Sequence, residues 1–162
     1  MAGYSGTPLP RKLGLGPNHR FGVVRSPEAF ANVLGALPDG VSMEVIRPGG
    51  PAPRQKTGRS ARKAPAAQAV ERPFDVIVCF ARSLREVEQD LQFLRTRLAQ
   101  AGGLWMAWPK RTSGIPTDAG ENQIRALGLA AGLVDNKVCA IDETWSGLRF
   151  VIRLADRTPS GR

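Results

Sequence analysis

The chain has 162 residues, 42% apolar and 23% charged, enough to bury one core and too ordinary for a fibrous or wholly disordered protein. Its formal charge is +9, and a single histidine leaves no usual ligand set for a zinc-type site. No apolar stretch approaches the roughly 20 residues of a membrane span.

The N-terminus, MAGYSGTPLP, has no positive region followed by an apolar run, so no secretory leader is expected and the reading is a cytoplasmic protein. Thr7-Pro8 can cap a short helical turn that runs to Leu13 and stops at Gly14. A first strand is predicted over His19 to Val24. Ser26 then offers an N-cap and Pro27 a first helical position. Phe30, Val33, Leu34 and Leu37 follow at i, i+3, i+4 and i+7, which stacks them on one helix face. Pro38-Asp39-Gly40 breaks that helix, and Val41 to Ile46 reads as a second strand.

Residues 47–73 hold seven basic residues against one acidic, so this segment carries most of the net charge. It is rich in Pro, Gly and Ala and poor in large apolar residues, a composition that cannot bury enough surface to offset its ordering entropy. We read it as a disordered insert within one domain spanning 1–162. Arg54, Lys56, Arg59, Arg62 and Lys63 form its candidate nucleic-acid contacts, although no aromatic residue is interleaved for base stacking. A solvated linker explains the same composition.

The second half has stronger signals. Phe74 to Phe80 is nearly all apolar, as in a central parallel strand covered on both faces. Ser83 and Glu86 have capping-box spacing. The helix they open shows Leu84, Val87, Leu91, Leu94 and Leu98 on one face, and Gly102-Gly103 are expected to end it. Leu104 to Trp108 reads as a buried strand broken by Pro109. Asp118 and Glu121 repeat the capping-box spacing before a helix marked by Ile124, Leu127 and Ala131 and stopped by Gly132. KVCAID and LRFVIRL are two strands joined by ETWSG, in hairpin arrangement. Cys79 and Cys139 lie inside apolar runs and read as small hydrophobes rather than a disulfide or metal pair. Alternating strand and helix predicts an open, mostly parallel, Rossmann-like α/β sheet with helices on both faces and a final antiparallel strand.

From FDVIVCF through LREVEQDLQFLRTRLAQAGGLWMAWPK to AAGLVDNKVCAID, the order of elements resembles the second half of the class I S-adenosylmethionine-dependent methyltransferase fold. YSGTPLPRKLGL, LWMAWPKRTSG and GLVDNKVCAIDETWSGLRFVIRL are also similar to a family of small bacterial proteins, common in actinobacteria, known as domain of unknown function family 3052. Members of that family carry glycine after the first strand, where this chain has Arg25-Ser26. The methyltransferase resemblance implies three cofactor features, and each is missing here. The turn after the first strand has no glycine. The second strand ends in Ile46-Arg47 rather than an acidic residue. The basic insert stands where a further strand and helix belong. The expectation is therefore no S-adenosylmethionine and no other cofactor.

In such a sheet, ligands gather beyond the carboxyl ends of the strands at the switch point, placed here between the first strand and FDVIVCF. That edge gathers Arg25, Ser26, Arg82, Ser83 and Lys110, with Asp142, Glu143 and Trp145 from the last connection. Three converging cations suit a carboxylate or phosphate, while the serines suit plain caps. Asp142 and Glu143, as neighbours on a strand end, are expected to point to opposite sides. The stronger reading makes them position the ETWSG turn, pairing Lys110 or Arg149. Trp105 and Trp108 should face opposite sides of their strand, and Trp145 should pack or act as a lid. With no serine or cysteine nucleophile placed beside His19, a catalytic triad is not expected. The functional expectation is a non-catalytic methyltransferase-like domain binding a protein partner or small anionic ligand. Its alternatives are a divergent transferase using Lys110, Asp142 and Glu143, or a nucleic-acid-associated protein.

Overall fold

The computed structural model describes residues 8–47 and 73–153. The predicted disorder of the insert, with Arg54, Lys56, Arg59, Arg62 and Lys63, lies outside the described residues. The elements run α1 (Leu9–Leu13), β1 (Arg20–Val24), α2 (Phe30–Leu34), β2 (Ser42–Val45), β3 (Phe74–Phe80), α3 (Leu84–Arg97), β4 (Leu98–Pro109), α4 (Glu121–Ala130), β5 (Leu133–Ala140) and β6 (Trp145–Ile152), with a 3₁₀ turn at Arg111–Ser113.

These strands form one sheet in the order β2-β1-β3-β4-β6-β5. β1 to β4 pair in parallel, and β6 runs antiparallel between β4 and β5. The chain leaves β1 toward β2 and returns to lay β3 on the other side of β1. Right-handed crossovers in opposite directions place their helices on opposite faces, which makes the β1/β3 boundary the switch point.

Two cores follow. On one face Leu9 and Leu13 of α1 and Phe30 and Leu34 of α2 pack on Phe21, Val76, Val78, Phe80 and Trp105. On the other, Val87, Leu91 and Leu94 of α3 and Ile124 of α4 pack on Ile77, Leu104, Met106, Trp108 and Phe150. Trp105 and Trp108 therefore face opposite sides, and both are buried. Trp105 Nε1 also donates to the Leu13 carbonyl at 3.1 Å, which ties α1 to the sheet.

Three local expectations are corrected. The first helix after β1 starts at Phe30, capped by no side chain, so Ser26 is not an N-cap. Arg25 has φ +53°, a left-handed turn that directs residues 26–29 into a separate bend. The helix after Ser83 ends at Arg97, and Gly102-Gly103 lie inside β4 instead of stopping it. A Cβ on Gly102 would sit 2.6 Å from the Asp75 carbonyl, and one on Gly103 would meet the Arg149 guanidinium, so these glycines answer close approach across the strands. Cys139 is only half-buried, because β5 is an edge strand, whereas Cys79 is fully buried on central β3. No helix among the described residues is long and apolar enough to cross a membrane.

Candidate functional site

The carboxyl ends of β1, β3, β4 and β5 and the start of β6 share one edge of the sheet, which places all the edge residues named from the sequence along it. They do not act as one group. Arg25, at the end of β1, donates from Nη1 to the Phe80 carbonyl at 3.1 Å, bridging the ends of β1 and β3. Its Nη2 lies 2.7 Å from Asp90 Oδ2 and its Nε 3.7 Å from Glu86. Burial pulls its pKa down, but the hydrogen bond and the charge of Asp90 outweigh that and leave it raised. Arg25 is thus engaged by α3 and is withdrawn from the expected set of three converging cations.

Asp90 is the residue that sequence reasoning missed. It lies on α3 at the apolar spacing of Val87, Leu91 and Leu94, and only 4% of it is exposed. A carboxylate in a core stripe must be paired, and that break in the pattern was its one visible signal. The Cys79 thiol donates to the same Oδ2 at 3.6 Å. Burial, reinforced by the negative charge of Asp90, pushes the Cys79 pKa well above its ordinary 9.0.

On the opposite face of the sheet, packed with α1 and α2, Phe30, Phe80 and Trp145 form an edge-to-face chain with ring centroids 4.9 and 5.0 Å apart. Trp145 is 4% exposed, so it packs in the core rather than covering the edge as a mobile lid. Ser83 caps α3, its Oγ accepting from the Glu86 amide at 3.2 Å, while Glu86 accepts from the Arg82 amide. The second capping-box expectation is corrected. Asp118 accepts from the Leu84 amide at 2.8 Å and so serves α3, while α4 has Gly120 at its N-cap position and no side-chain cap. Thr117 Oγ1 donates to the Arg82 carbonyl at 2.6 Å and holds that loop against α3.

Asp142 and Glu143 stand in the turn after β5 rather than on the strand, and both line one groove, contrary to the expectation of opposite sides. Asp142 Oδ1 accepts from the Thr144 and Trp145 amides at 2.8 Å each, which is the turn-positioning role read from the sequence. Neither carboxylate pairs with Lys110 or Arg149. Lys110 meets the turn through its backbone, its amide donating to the Thr144 carbonyl at 2.8 Å. Arg149 donates to Asn136, and burial lowers its pKa. Arg82 and Lys110 have no ion pair among the described residues, and Ser26 is exposed. His19 is used locally, its Nδ1 accepting from the Gly16 amide. No group of three metal-ligating side chains occurs among the described residues.

Comparison with solved structures agrees with this sheet. A SAM-dependent methyltransferase from Aquifex aeolicus is 15% identical with a TM-score of 0.51, covering 88% of this chain and 87% of that one. Magnesium protoporphyrin IX methyltransferase from Synechocystis PCC 6803, solved with bound SAM, is 12% identical with a TM-score of 0.52 over 90% and 74%. The fold is methyltransferase-like. The mitomycin 7-O-methyltransferase MmcR is 11% identical with a TM-score of 0.54 over 83% of this chain, which spans 49% of that longer one. No family model and no curated protein sequence matches the chain.

Proposed function

We propose that this chain is a non-catalytic methyltransferase-like domain, related to family 3052, that works by binding a protein partner or small ligand at the carboxyl edge of its sheet. The observation that carries the reading is the Arg25 bridge. At the switch point, where ligands of open α/β sheets meet bare main chain, a guanidinium spans from β1 to the Phe80 carbonyl and is held by Asp90. The adjoining residues fit S-adenosylmethionine no better. Pro27 stands where a glycine turn would let a phosphate-sized or ribose group approach. Past β2 come buried Ile46 and exposed Arg47, with no carboxylate for ribose hydroxyls. Of the three edge cations named from the sequence, Arg82 and Lys110 remain for an anion.

Titration calorimetry of the full chain with S-adenosylmethionine and with its demethylated product tests the reading. No heat is expected from either, and micromolar binding of either overturns it. The fold of the solved structures favours one second reading, a divergent methyltransferase, which that same binding would support and methyl transfer to an acceptor would establish.

A further inference from the structure

We propose that the groove between α1, α2 and the β5–β6 turn binds a small amphipathic cation, an ammonium group on an apolar body, with Asp142 and Glu143 receiving the charge. This deepens the binding-domain reading and rests on it. The cavity measures about 420 Å³, within the span of small-molecule sites. Leu9, Val33 and Ile141 give it apolar walls, and Lys12, Asp142 and Glu143 give it charge.

Two features select the sign of the ligand. The first is a surplus of carboxylate, two against one lysine, and Lys12 already has an interaction of its own and acts on the Cys139 thiol. Asp142 Oδ2 and the whole Glu143 carboxylate make no hydrogen bond or ion pair with a described residue. An anion in this groove would face both of them, whereas an ammonium would satisfy them.

The second is rigidity. The turn is held by the Ile141 amide on the Trp145 carbonyl and the Lys110 amide on the Thr144 carbonyl, both at 2.8 Å. Asp142 is locked within it through Oδ1, and Trp145 is anchored on Phe80. A carboxylate whose orientation is already set loses little further freedom when a cation arrives. The apolar walls then take the body of the ligand, whereas a bare metal ion or ammonium ion would leave those walls exposed to water.

The test uses the full chain and two isosteres of opposite charge, 2-phenylethylammonium and 3-phenylpropionate, followed by saturation-transfer NMR and calorimetry. The amine is expected to bind and the acid to stay silent. Asp142→Asn and Glu143→Gln should each weaken the amine about tenfold, the loss of one charge-assisted contact. D142N keeps an oxygen to accept the two turn amides, so an unchanged melting curve shows that weaker binding is not unfolding. Equal binding of the acid, indifference to both substitutions, or no saturation transfer from the amine at about 10 mM overturns the proposal. Silence of the amine together with silence of S-adenosylmethionine sinks the groove assignment alone. Binding of S-adenosylmethionine sinks the reading on which it rests.

Discussion

Replacing Arg25 with alanine removes the only cation within ion-pair reach of Asp90 among the described residues, while the carboxylate stays 4% exposed beside the Cys79 thiol. Breaking a buried pair by deleting one partner costs about 3–5 kcal/mol. The Arg25 side chain is itself 36% exposed, so solvent screens part of that loss, and about 2 kcal/mol is the expected destabilisation. For a chain of this size that lowers the midpoint of thermal unfolding by about 4–8 °C. The backbone supplies an internal control. Arg25 sits at φ +53°, which alanine must also adopt and glycine adopts freely. Arg25→Gly should therefore be about 1 kcal/mol more stable than Arg25→Ala although it lacks the same guanidinium. Adding Asp90→Asn to R25A should recover stability, because no buried charge is then left without a partner. Urea unfolding, with an unchanged m-value, measures all three. If R25A costs less than about 0.5 kcal/mol, the range of an exposed pair, the guanidinium does not compensate the buried Asp90 carboxylate. If the R25A and D90N effects simply add, the two residues are not coupled.

The Cys79 thiol gives a pH prediction. In the unfolded chain it ionises near 9.0, while in the folded chain burial keeps it protonated well above that. Its contribution is complete below pH 9 and is lost as pH rises toward the raised folded value, at up to about 1.4 kcal/mol per pH unit. Unfolding at pH 8, 9 and 10 should show that slope, and Cys79→Ala should flatten it; equal slopes refute the assignment. Gly128→Ala gains helix propensity but sets a methyl group into the buried Phe150 ring, so a net loss of about 1–3 kcal/mol is expected in denaturant melts. A stabilised G128A would mean that α4 can lift from β6. Trp105→Phe leaves the Leu13 carbonyl without its donor and should cost about 1–3 kcal/mol, with faster amide exchange in α1 before the sheet opens. Unchanged α1 exchange would show that the indole does not anchor that helix.

Much of the fold was legible because hydrophobic period is a local property. FDVIVCF reads as a strand covered on both faces, and the stripe of Val87, Leu91 and Leu94 as a helix packed on one side, and the structure has both. Local punctuation misled where a distant contact overrode it. Gly102-Gly103 looks like a helix stop in one dimension, yet the glycines are there for the approach of Asp75 and Arg149 from neighbouring strands. Asp118 has the spacing to cap its own helix but caps α3, 34 positions back in the chain. In the candidate site, the absence of glycine after β1 was readable from the sequence. What the arginine there does was not, since its partner Asp90 comes from an element 65 residues away.

The sequence by itself determined most of the strands and helices, that they alternate into a mostly parallel sheet, and that the turn after the first strand carries side chains rather than glycine. Those are decided by side-chain period and by the presence or absence of a Cβ, which each residue carries wherever the chain goes. The tertiary structure alone decided that Arg25 turns onto α3, that Asp142 and Glu143 share a groove with α1 and α2, and that Trp145 lies beneath the edge. Each of these depends on which elements the sheet order brings within a few ångströms, a consequence of crossover direction that no stretch of sequence records.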